Sequence, residues 1–167
     1  MTSITWKLSA LIVIALLLHI GCDEGLKPAT STATGSFAGV VSFTNWQAAD
    51  TIYDIRVVAF RNFPPADVVN EVLSGNAAVY PPLGGPALVS SPVDSLAYSV
   101  VVPATTYRYI VVAQQYGPDI MAHWKPVGQY DLDSNLAIPS SIVVGPNATT
   151  FGVDINVDFA HPPPSPF

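Results

Sequence analysis

Tyr98-Ser99-Val100-Val101-Val102-Pro103-Ala104-Thr105-Thr106-Tyr107-Arg108-Tyr109-Ile110-Val111-Val112-Ala113 decides how this chain folds. Two blocks of β-branched and aromatic residues flank a single proline. Such side chains fit a pleated, half-buried surface and lose χ1 freedom in a helix. Residues 98–102 and 107–113 therefore read as two long strands, and Pro103-Ala104-Thr105-Thr106 reads as a hairpin connection.

Working outward, the same pattern recurs. Phe37-Ala38-Gly39-Val40-Val41-Ser42-Phe43 and Ile55-Arg56-Val57-Val58-Ala59-Phe60 are short, β-rich and bounded by turn formers. In the second, Asp54, Arg56 and Phe60 are placed on the opposite, wetter face from Ile55, Val57 and Ala59. Between Phe63 and Gly75 the period changes: Val68, Val69, Val72 and Leu73 recur at helical spacing after Pro64-Pro65, which predicts one short helix ended by Gly75. Tyr80 to Pro86 reads as loop, and Ala87 to Ser90 is a candidate small edge strand. Gln114 to Leu136 reads as irregular. Ser141-Ile142-Val143-Val144 and Phe151 to Phe159 read as a last pair of strands, with Val153, Ile155, Val157 and Phe159 inward and Asp154, Asn156 and Asp158 toward water. Short strands joined by turns, with a single helix in a connection, give an all-β class: an antiparallel β-sandwich of about seven strands.

The N-terminus carries a different message. Lys7 is followed by an apolar run from Leu8 to Ile20, then Gly21-Cys22, then Asp23 and Glu24. A membrane-crossing helix needs about 20 apolar residues, and this run is shorter. The layout is that of a signal peptide. Leu18-His19-Ile20-Gly21-Cys22 resembles the lipobox of bacterial lipoproteins, which implies cleavage before Cys22 and acyl chains on that residue. Cys22 is the chain's one cysteine, so no internal disulfide is available to it. The competing reading is an ordinary signal peptide cut nearby, leaving a free thiol. Asp23 to Ser36 is small and polar, without a periodic apolar face, and reads as a tether. At about 3.3 Å per residue it would reach about 40 Å at most. The expected organisation is residues 1–21 as lipoprotein signal peptide, 22–35 as flexible tether, 36–160 as β-sandwich domain and 161–167 as proline-rich tail.

The chain has 167 residues, with 12 acidic against 6 basic side chains and a net charge of −6. That balance excludes the basic stripe from which nucleic-acid binding draws its affinity. It also leaves membrane attachment to the acyl chains on Cys22.

The order of the segments resembles the carboxypeptidase regulatory-like domains, which share a transthyretin-like β-sandwich. The residues carrying the likeness are Gly39-Val40-Val41, Ile55 to Phe60, Tyr98 to Pro103 running into Tyr107 to Ala113, and the closing segments from Val143 to Phe159. Enzymes on related folds supply a contrast. The ending Pro164-Ser165-Pro166-Phe167 lacks the Tyr-Arg-Gly-Ser-type terminus of hydroxyisourate hydrolases, and His123 and His161 lack the close histidine spacing of iron-binding intradiol dioxygenases. No nucleophile elbow, phosphate loop or zinc spacing is present. The expectation is a non-enzymatic module without a cofactor.

Two stretches hold candidate chemistry. Asp131, Asp133 and Asn135 place oxygens at alternating positions, which calcium could use; the competing reading is a solvated Asp/Asn turn. Tyr116, His123, Trp124 and Tyr130 stand among glycines and prolines and are a candidate contact surface for a glycan or an envelope protein. In the competing reading, Trp124 and Tyr130 fold back to cap one end of the sandwich. The functional expectation is a lipid-anchored envelope module that binds or adheres, displayed at the outer membrane or cell surface. Its alternative is a structural accessory that docks to a larger envelope complex through a sheet edge or the tail.

Overall fold

The computed structural model describes residues 32–48, 51–133 and 135–166. The expected signal peptide, Cys22 and nearly all of the tether lie outside the described residues.

Among the described residues, ten strands and one helix follow in order: β1 Thr34–Thr44, β2 Asp54–Phe60, α1 Val68–Leu73, β3 Ala77–Tyr80, β4 Ser95–Pro103, β5 Thr106–Tyr107, β6 Tyr109–Gln115, β7 Trp124–Tyr130, β8 Ile142–Val143, β9 Thr149–Thr150 and β10 Ile155–Asp158. The all-β class holds. The sheet is not purely antiparallel, however, because β1 runs parallel to both β9 and β10. The main sheet has the order β3-β2-β6-β7-β10-β1-β4, with β9 beside β1, and β5 pairs with β8 as a separate ladder.

The expected hairpin across Pro103 does not form. β4 pairs with β1, at one end of the sheet, whereas β6 lies between β2 and β7. Burial explains the separation. All seven residues of β6 are buried, as a strand covered on both faces must be, while β4 alternates buried and exposed. The two strands need different environments, so the link carries the chain from one side of the core to the other. The expected pairing of 141–144 with 151–159 also fails, since β8 joins β5 and β10 joins β1 and β7. Ala87 to Ser90 is not a strand; Leu88 N–H donates to the Ile55 carbonyl, and Leu88 and Val89 pack against the inner core. Thr34 and Gly35, assigned to the tether, begin β1.

One core cluster takes Phe37, Val41 and Phe43 from β1, Ile55 and Val57 from β2, Tyr98, Val100 and Val102 from β4, Ile110 and Val112 from β6, and Ile155 and Val157 from β10. All of these lie on one face of one hydrogen-bonded sheet, so the sheet curls until its two halves meet. The inward set Val153, Ile155, Val157 and Phe159 is buried as its alternation predicts. The Tyr98 hydroxyl donates to the Val153 carbonyl at 2.6 Å, and burial raises its pKa. Gly39 makes room for this closure: a Cβ there would strike the Val153 carbonyl.

A second cluster lies on the outer face of the β3-β2-β6-β7 half: Val58, Phe60, Ala77, Tyr109, Val111 and Ala113, with Val68, Val72, Val79 and Trp124 against them. The helix expected after Pro64-Pro65 covers this face. Asp67 caps it by accepting from Asn70 N–H at 2.9 Å, and Gly75, at φ +74°, follows its end. The face carrying Arg56 and Phe60 is therefore not the wet one. The tail returns to the protein: His161 Nδ1 lies 3.0 Å from Asp158 Oδ2 and Pro163 is buried.

Candidate functional site

Gln114 to Leu136, read as irregular, contains the central strand β7. β6 and β7 are joined by residues 116–123, whose base is closed by the bond from Tyr116 N–H to the His123 carbonyl at 2.9 Å. The loop holds itself. Asp119 accepts from Met121 N–H at 2.8 Å, His123 Nδ1 accepts from Asp119 N–H at 3.1 Å, and Trp124 Nε1 donates to the Ile120 carbonyl at 2.8 Å. The Tyr116 and His123 rings lie 5.3 Å apart, and Lys125 Nζ sits 5.9 Å from the Tyr116 centroid. A Cβ on Gly117 would press on the His123 ring at 2.5 Å, so glycine is what lets that ring lie there.

The four aromatic candidates therefore separate. Tyr116 and His123 meet at the loop base, and Trp124 is bonded to the same loop. Tyr130 lies at the far end of β7, about 20 Å away at about 3.3 Å per residue, and belongs to the inner core. Burial raises its pKa. Trp124 packs on the outer cluster.

Trp124 also walls a cleft. Between α1 and the outer face of β2, β6 and β7 lies a cavity of about 110 Å³. Val58, Val111 and Ala113 form its floor, Val68 and Val72 of α1 one wall, and Ile120, Met121 and Trp124 the other. Its rim is apolar and exposed: Leu73 is 67% accessible, Met121 52% and Ile120 50%. Among its lining side chains, Arg56 is the charged one, and its nitrogens are occupied. Nε donates to Asp54 Oδ2 at 2.7 Å, Nη1 to the carbonyls of Pro81, Pro82 and Pro86, and Nη2 to that of Gly85 at 2.9 Å. Arg56 thus holds the proline loop beside the cleft. With the indole N–H also used, the lining offers a guest almost nothing but hydrocarbon.

Sequence reading named Trp124 but missed Ile120, Met121 and the role of Arg56. The available signal was Ile120-Met121, two large apolar residues inside an otherwise polar loop. The oxygens of Asp131, Asp133 and Asn135 accept from backbone N–H groups of Asp133, Asn135 and Ala137, as in a self-bonded Asx turn. Among the described residues, no group of three or more His, Cys, Asp or Glu side chains is arranged to hold a metal, and no helix is long and apolar enough to cross a membrane.

No family model and no curated protein matches the chain. Among solved structures, a leucine-rich repeat protein from Bacteroides thetaiotaomicron aligns over 77% of this chain and 14% of its own length, at 13% identity and a TM-score of 0.36. A likeness that low carries no argument about fold or function.

Proposed function

We propose that this chain is a non-catalytic binding module of the bacterial cell envelope, anchored by acyl chains on Cys22 and held off the membrane by its tether. Its site is the cleft between α1 and β7. The observation that carries the reading is an apolar cavity left open at its mouth, with Leu73, Ile120 and Met121 exposed around it. An engineered apolar cavity of about 150 Å³ stays dry and takes up benzene, so a site of this order suits one ring or a short alkyl segment. The ligand class that fits is a neutral hydrocarbon group on a small amphiphile. A glycan fits less well, because sugar hydroxyls need hydrogen-bond partners and the lining has almost none to give. The sandwich plan resembling the carboxypeptidase regulatory-like domains is part of this proposal; the curling of the main sheet around the larger of the two core clusters supports it.

The test is the fluorescence of N-phenyl-1-naphthylamine, a neutral apolar probe, on titration with the protein. Saturable enhancement is expected. Met121→Lys sets a charge at the mouth and should weaken binding by about tenfold or more, because an ammonium resists desolvation. Ala113→Leu fills the floor and should do the same. Equal binding by both variants would remove the cleft from the account. The accessory-subunit alternative draws support from a different feature, the bare edge of β4.

A further inference from the structure

The sheet has two ends, and they are built differently. β3 is four residues long and runs into Pro81-Pro82, with the proline loop pinned by Arg56 beside it. A short strand next to prolines is how proteins blunt an edge. β4 has none of these protections. It runs nine residues, Ser95-Leu96-Ala97-Tyr98-Ser99-Val100-Val101-Val102-Pro103, with no charged side chain and no proline before the last position. Its register with β1 is unbroken from Ser42↔Ser95 to Thr34↔Pro103, so no bulge twists it away. Among the described residues, β1 is its one strand neighbour.

The hydrogen-bonding phase shows which groups point outward. Phe43 N–H donates to the Asp94 carbonyl, and counting by twos along the register makes Leu96, Tyr98, Val100 and Val102 the residues bonded to β1. Ser95, Ala97, Ser99 and Val101 therefore direct their N–H and C=O groups to the free edge. Their side chains are also exposed, Val101 at 76%.

We propose that this edge pairs antiparallel with β4 of a second copy of the chain, across a two-fold axis at Tyr98. In that register Ala97 faces Ser99 and Ser95 faces Val101, all small or apolar, and all four bring their outward backbone groups into the ladder. The inward residues Leu96, Tyr98 and Val100 meet their own kind, so the apolar layer continues across the seam. Charge does not bar self-pairing at this place. Two chains of net charge −6 repel, and the seam holds no charge from Ser95 to Val101; Asp94 lies one step outside it, opposite Val102. A two-fold contact needs a patch complementary to itself, and this strand is one.

Sedimentation equilibrium of the full chain in a neutral detergent, with amide exchange followed at two protein concentrations, tests the pairing. The expected result is a dimer in which the amides of Ala97, Ser99 and Val101 gain protection as concentration rises. Ser99→Pro deletes an edge-facing donor and should raise the dissociation constant by about tenfold or more with circular dichroism unchanged. Should that variant misfold, Ala97→Lys brings two ammonium groups together near the axis and should have the same effect. A monomer at every concentration, a dimer with those amides unprotected, or a dimer indifferent to the folded variants would overturn the proposal.

Discussion

The two outer faces of the curled sheet differ more than its two ends. Over β2, β6 and β7 the outer face is valine, phenylalanine and tyrosine, roofed by α1 and held at one margin by Arg56. Over β1 and β4 it is Ser36, Ala38, Val40, Ser42, Ala97, Ser99 and Val101, with no roof among the described residues and little to bury. The difference teaches where specific structure was built. A strand buried on both faces is costly to cover, and the chain supplies a helix and a loop to do it, leaving a gap between them. The other face needs only to tolerate water.

The comparison breaks most easily at Arg56. Arg56→Ala leaves the Asp54 carboxylate and several carbonyls without their donor, and a buried ion pair cut on one side costs about 3–5 kcal/mol. Chemical denaturation would show it, together with looser protection of residues 81–86. Removing the cap by Asp67→Ala should cost about 1 kcal/mol in the same assay and weaken probe binding in the cleft, since α1 is one of its walls. Tyr109→Phe runs the other way. Its hydroxyl is fully buried with no hydrogen-bond partner among the described residues, so deleting it should be neutral or stabilising, by up to about 1 kcal/mol, in thermal melts. On the bare face, Val101→Thr should stay within about 0.5 kcal/mol of wild type. A larger loss there would mean that this face is covered after all.

The smallest effect is electrostatic. Hydrogen bonds from Asn45, from His161 and from the Ala160 amide lower the Asp158 pKa from its ordinary 3.8 to about 2. A depressed carboxylate stabilises the fold above its unfolded pKa, and that contribution fades as pH falls from 3.8 toward 2. Carbon-detected titration should find the low value, and Asn45→Ala should raise it.

Much of this was legible in the sequence, and what was not has identifiable causes. β10 alternates cleanly because one face is core and the other water, and the helix showed itself by a change of period. β7 was hidden by Pro126 and Gly128, residues that argue against a central strand. Pro126 is tolerated because the ladder slips between Val112 and Ala113, beside its own position. Gly128 is there because a Cβ would lie 2.6 Å from the Asn156 carbonyl of β10. The false hairpin has another source: alternation reports that a strand is half-buried, not which neighbour buries it. Of the site, Trp124 was readable as an aromatic among turn formers. The cleft was not, since it depends on α1 and the 116–123 loop coming together over β6 from opposite directions in the chain.

The cleft is proposed to take up a neutral hydrocarbon group. Methyl NMR of the valines, recorded while the protein is titrated with N-phenyl-1-naphthylamine, tests it most directly. Saturable shifts are expected at Val58, Val68, Val69, Val72, Val79 and Val111, with Val41, Val100 and Val157 of the inner core unmoved. Shifts spread through the inner core, or no shift at the cleft while the probe still binds, would contradict it.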